Sequence, residues 1–379
     1  MAAGRRREEG ASALIVVIFS VLLLVTVSVG FMRLVVQDQE RTANDELSRG
    51  AYDSAIAGVE DGKRVLQACL AGNAAACTAI QNRNCNTIWA AGILAASDAD
   101  NNAEVMLQNS SGTEGGFDQA YTCVKISRDT PDYKANLQAD TSIVVPLQTV
   151  NPFTRVVVSW YVNPGTSGIP VDIAGRAGNP LSPLESWEPV GSVRPPIIRA
   201  QLIQYAGGGF NLSDFDANGG AHTIYLYPAT AGADDTVAPL NFSTDNRRTA
   251  TPNGLLNDVA CSTASVRRYV CSVAIDLPNP VGGTAANRQA YLRLTSIYGA
   301  TELVVRPEGT LLQDVQPSID STGRAANVFR RVDARVELTG ADFYPRATVD
   351  ITKNFCKDFS VSTTQYFAGS CDYTAPTTP

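Results

Sequence analysis

Twenty-two residues without a charge, positions 11–32 (ASALIVVIFSVLLLVTVSVGFM), follow directly on a short segment that holds Arg5, Arg6 and Arg7. A helix of that length spans roughly 30 Å, the thickness of the hydrocarbon core of a bilayer. The three arginines keep the N-terminal flank in the cytoplasm, so everything after Arg33 is expected outside. The cysteines point the same way. The eight of them (Cys69, Cys77, Cys85, Cys123, Cys261, Cys271, Cys356 and Cys371) show no CxxC spacing, which favours structural disulfides over a zinc ribbon or a thiol redox motif. Disulfides persist in an oxidising compartment, so the bulk of the chain has to be exported. Cys261 with Cys271 would bridge a hairpin and Cys356 with Cys371 would close a C-terminal loop, whereas spacing leaves the pairing of the first four open.

Three kinds of segment begin in this way. A cleaved secretory signal has a shorter apolar region and a small-x-small site, of which Thr26-Val27-Ser28 is a poor version. A plain signal anchor fits charge and length equally well. The third kind breaks before the apolar run rather than after it, and here a basic leader ends in Gly10 and the small residue Ala11 opens the run. The phrase Glu9-Gly10-Ala11-Ser12-Ala13-Leu14-Ile15-Val16-Val17 resembles the class III leader of type IV pilins and type II secretion pseudopilins, most of all PilX-type minor pilins and large K-type pseudopilins. The likeness covers Arg5 to about Leu70 and extends to the remainder only in layout.

That resemblance implies cleavage by a prepilin peptidase between Gly10 and Ala11, N-methylation of Ala11, and export by an inner-membrane assembly machinery into a filament of pilin subunits. Leu14, Val17 and Leu22 would line the assembly helix. The chain departs from the family at Ile15, where pilins carry a glutamate that pairs with a neighbour's N-terminal ammonium inside the apolar bundle. In the family this absence goes with subunits at the filament end, so the resemblance implies a minor subunit rather than a shaft pilin. The alternative is a signal-anchored binding protein that never polymerises.

Past Arg33 no proline occurs before Leu70, and Leu47, Ala51, Ala55, Val59, Val65, Leu66, Cys69 and Leu70 recur mostly at three or four residues, an amphipathic helix. Gly50, Gly58 and Gly62 and the lack of a heptad argue against a coiled-coil stalk. The expected organisation is a leader over 1–10, a transmembrane assembly helix over 11–36 and its amphipathic extension over 37–70. A cysteine-containing helix and loop region follows over 71–130, then a β-rich domain over 131–373 with a seam at 163–196, and a disordered tail over 374–379. Strand-like runs at 141–150, 153–162, 197–205, 223–227, 267–277, 289–296, 301–305, 328–338 and 347–351 show no βαβ alternation. The fold class is therefore α+β: a long N-terminal helix packed on a predominantly antiparallel β domain.

The remaining composition narrows the chemistry. A net charge of −7 argues against a general nucleic-acid binder, and the doublets Arg247-Arg248, Arg267-Arg268 and Arg330-Arg331 read as solvated faces. One histidine, His222, leaves little room for zinc sites or histidine-based triads, and no G-x-S-x-G, HExxH or P-loop occurs. Gly207-Gly208-Gly209 reads as a flexible turn. Asp214, Asp216 and Asn218 have the alternate spacing of a calcium loop, but Tyr225 stands where the bidentate glutamate belongs. An Asx-rich loop is the favoured reading, with calcium the alternative. No other cofactor and no catalytic set is expected.

Overall fold

The computed structural model describes residues 8–92, 104–108, 119–164, 171–173, 187, 191–206, 220–230, 239–242, 256–263, 268–282 and 288–337. Helix α1 is unbroken from Glu8 to Leu70, 63 residues and about 95 Å at 1.5 Å per residue. It stops at Gly72, whose φ of +93° is open to a residue without Cβ. There the Gly72 and Asn73 amides donate to the Cys69 and Ala68 carbonyls, the Schellman closure of a helix end. Asn73 then caps α2 (Ala74–Asn82) by accepting from the Ala76 amide at 3.2 Å. A one-turn helix, α3 (Thr87–Ala90), follows.

Contacts divide the chain into two units, Met1–Ile126 with Ile319–Ala334, and Ser127–Ser318 with Arg335–Pro379. The strands are β1 (Val105–Gln108), β2 (Gln119–Thr130), β3 (Tyr133–Leu137), β4 (Ser142–Pro146), β5 (Phe153–Val162), β6 (Ile197–Ala206), β7 (Ala221–Thr230), β8 (Leu240–Asn241), β9 (Leu256–Cys261), β10 (Tyr269–Val281), β11 (Arg288–Ile297), β12 (Thr301–Pro307), β13 (Leu312–Ala325) and β14 (Val328–Arg335). One sheet runs β1-β2-β13-β14, and a larger one runs β3-β12-β5-β10-β9-β7-β6-β11-β4 with β8 beside β10. In the larger sheet pairing is antiparallel except for β7 with β9 and β8 with β10.

The second unit is built on the larger sheet. Inward residues from both ends of its strand order share one core, among them Trp160, Leu202, Leu292, Leu303 and Val305, so the sheet curls around it. Trp160 satisfies its indole N–H on the Pro196 carbonyl at 2.9 Å, which lets the largest side chain of that core be fully buried. In the first unit the end of β13 and part of β2 lie against α1. The chain is thus α+β, with a long apolar N-terminal helix and a C-terminal region rich in antiparallel sheet.

The segmentation differs from the linear reading in two places. Residues 71–130, expected as helix and loop, also hold β1 and β2, because burial in β2 jumps from Tyr121 to Val124 and hides the two-residue period. Residues 319–334, expected within the β-rich domain, belong to the unit of α1. The seam at 163–196 is described only in part, and the expected strand at 347–351 and the tail at 374–379 lie outside the described residues.

Candidate functional site

The two halves of α1 meet different surroundings. From Leu14 to Val36 every large apolar side chain is exposed, between 47% and 72%, and Leu14, Ile15, Val17 and Leu22 are among them. Two hydroxyls in this stretch bond back to their own helix. Ser20 Oγ donates to the Val16 and Val17 carbonyls at 2.9 Å, and Thr26 Oγ1 to Leu23 at 2.9 Å. With its backbone bonded internally and no charge from Leu14 to Met32, this part of the cylinder offers an apolar solvent little that it must solvate. Among the described residues α1 is the one helix long and apolar enough to cross a membrane. Gly10 and Ala11 fall near the first turn of α1.

From Gly50 onward the helix is buried on one side, with Ala51, Ala55, Val59, Val65 and Leu66 at 3% exposure or less. Small residues set how close its neighbours come. A Cβ on Gly58 would meet Ser321 Oγ at 2.3 Å, and one on Gly62 would meet Ile319 Cγ2 at 2.8 Å. From the strand side, a Cβ on Gly323 would meet the Ala51 carbonyl oxygen at 2.0 Å and the Ala55 nitrogen at 2.3 Å. Backbone therefore touches backbone, as small-residue spacing allows. Within this packing Asp61 is buried at 9% exposure, yet it accepts from the Tyr121 hydroxyl at 2.6 Å and from Arg64 at 2.8 Å. A buried carboxylate so partnered ties the helix to β2.

Disulfides fix the end of the helix and the strand pairing. Cys69 bonds Cys77, joining α1 to α2, and Cys85 bonds Cys123 on β2, which resolves the pairing that spacing left open. Cys261 bonds Cys271 directly across the β9–β10 ladder, the bridge read from the sequence. Cys356 and Cys371 lie outside the described residues, as do Asp214, Asp216 and Asn218, Gly207-Gly208-Gly209, Arg247-Arg248 and Arg267.

Elsewhere the side chains that sequence singled out are bonded or packed. Arg330 donates to Ser48 Oγ at 2.6 Å, Arg331 pairs with Asp320, and Arg268 reaches Glu302 at 2.8 Å. His222 is buried beside Phe242, at a ring separation of 6.4 Å. No three His, Cys, Asp or Glu side chains converge on a common point among the described residues. A groove of about 460 Å³ runs over Pro131, Val157, Pro307 and Leu311, with Arg306 and Glu308 at its rim. Glu308 is engaged by Arg155 at 3.2 Å.

The exposed apolar half was legible from sequence. The close-packed row and the Tyr121–Asp61 bond were not, although Gly58 and Gly62 stand four residues apart and could have signalled a backbone approach. No family model, curated protein or solved structure matches this chain.

Proposed function

We propose that this chain is a minor subunit of a type IV pilin-like filament, held in the cytoplasmic membrane by α1 before assembly and acting outside in assembly and surface adhesion. The observation that supports this most is α1 itself. One continuous helix carries an apolar first half that stays exposed among the described residues and a second half packed on its own strands. Such an element serves two solvents in turn, the bilayer and then a bundle of like helices.

The leader adds the processing step. Arg5, Arg6 and Arg7 keep the N-terminus inside, and Gly10–Ala11 offers the bond for a prepilin peptidase at the membrane's cytoplasmic face. Ile15 brings no carboxylate to pair with a neighbour's ammonium, which suits a position at the filament end, where no such neighbour needs it. Other pilin subunits and the inner-membrane assembly machinery are the partners this reading requires.

Mass spectrometry of the N-terminus of the native protein tests it. The expected product begins at N-methylated Ala11. An intact Met1, or an end near Ser28, leaves the signal-anchored binding protein or a cleaved secretory product in its place.

A further inference from the structure

From Arg33 to Arg49 helix α1 carries seven charged residues: Arg33, Asp38, Glu40, Arg41, Asp45, Glu46 and Arg49. All seven are exposed, and among the described residues none is in an ion pair. Intrahelical partners stand at the right spacing, since Asp38 and Arg41 are three apart and Asp45 is four from both Arg41 and Arg49. Further along the same helix that spacing is used, by Glu60 with Lys63 and by Asp61 with Arg64.

Asp38, Arg41, Asp45 and Arg49 fall within an arc of about 80° on the helix, at 3.6 residues per turn. Along that stripe the sign alternates. Toward the N-terminus the same side carries Leu24, Val27, Phe31 and Leu34, all exposed. We propose that this stripe is a contact between two copies of the chain, lying parallel and offset along the axis by about four residues, roughly 6 Å. Asp38, Arg41 and Asp45 of one copy then oppose Arg41, Asp45 and Arg49 of the other.

Charge complementarity selects the occupant. At zero offset the same residues would set Asp against Asp and Arg against Arg, which is repulsive, and an offset of one helical turn replaces those four clashes with three matches. The parallel arrangement rests on the membrane-anchored part of the proposed function, because two helices inserted with the same topology share one direction. One face of the helix carries both sides of the contact, so a single neighbour fills it. The stripe thus specifies a pair of copies rather than an endless row.

The experiment uses the full-length chain, labelled in two colours and reconstituted at low density in vesicles of neutral phosphatidylcholine, with energy transfer as the readout. Asp45→Arg is expected to lower self-association about tenfold, and raising salt to the molar range to lower it several-fold. Reversing all four charges together keeps the alternation, so it is expected to restore association to within about twofold of the native level. The apolar stripe alone would give transfer that ignores salt and Asp45→Arg, and that result overturns the proposal. Reversals that matter only when anionic phosphatidylglycerol is added assign the stripe to lipid headgroups and overturn it as well. A chain cut after Gly10 that shows no charge-dependent pairing overturns this inference alone. An uncut chain with charge-dependent pairing overturns the filament reading alone.

Discussion

Between Leu14 and Val36 helix α1 carries large side chains on all sides and stays exposed among the described residues; between Gly50 and Leu66 it carries its smallest residues toward strands that come within backbone distance. The backbone is the same in both halves, one ladder of i→i−4 bonds without a break. What differs is where each half finds its attraction. In the first half apolar surface is uniform in angle, which suits any apolar surroundings and specifies no single neighbour. In the second half the apolar stripe is narrow, and Gly58, Gly62 and Gly323 set a distance that only one partner geometry satisfies. One half is therefore tolerant and the other exacting, and the contrast predicts opposite responses to the same kind of substitution.

Glycine-to-valine changes give the largest contrast. At Gly323 the new Cβ would collide with the Ala51 carbonyl and the Ala55 nitrogen, atoms that move only if the whole helix moves. Gly323→Val is expected to cost about 3 kcal/mol or more in denaturant unfolding of the full chain in micelles. Gly30→Val adds a Cβ with nothing within 4 Å, and is expected to shift the same midpoint by less than about 0.5 kcal/mol. Equal losses at both sites would erase the distinction between the halves.

A smaller effect tests whether the exacting half is held by polar contact as well as by packing. Tyr121→Phe removes the hydroxyl that donates to the buried Asp61 carboxylate at 2.6 Å. The oxygen left behind loses a charge-assisted bond in a place where water does not replace it, and the expected loss is about 2 kcal/mol. Asp61→Asn together with Tyr121→Phe should cost less than the sum of the two single changes, because the pair acts as a unit.

How much of this was legible follows from which forces are local. The free half of α1 and the strands at 153–162, 197–206 and 288–297 declare themselves through runs of Val, Ile, Leu and aromatic residues. β13 does not. It contains Pro317 and Gly323 and is polar along much of its length, yet Ile319, Ser321 and Gly323 on one face receive the helix. That fitness lies in what β13 lacks, and the helix residues that need it are distant in sequence. β9 is short and pairs in parallel with β7, and on its other side the register with β10 is the Cys261–Cys271 pair, so little beyond that bridge marks it in the sequence. The candidate site divides in the same way. Leu14, Ile15, Val17 and Leu22 could be named from hydrophobicity, whereas the Tyr121–Asp61 bond depends on two elements meeting.

The smallest effect comes from charges, and it sharpens the same contrast. Among the described residues the acidic side chains of the exposed segment of α1, Asp38, Glu40, Asp45 and Glu46, stand without ion pairs, but Glu302 in the β-rich unit is held by Tyr269 and by Arg268. The Tyr269 hydroxyl holds the Glu302 carboxyl below its ordinary value, with burial opposing and the Arg268 guanidinium adding to the effect. Burial, and then the same hydrogen bond, push the Tyr269 phenol up to about 12. The folded carboxyl gives up its proton more readily than the unfolded one, so its contribution to stability is complete above the ordinary value of 4.5. As pH falls through the lower folded value, that contribution disappears. Glu302→Gln should therefore flatten the acid limb of the stability curve below pH 4.5 while removing less than about 1 kcal/mol at neutral pH, the range of part-exposed pairs. A Glu302 variant whose acid limb matched that of the native chain would mean that the bonds from Tyr269 and Arg268 add nothing to the folded state.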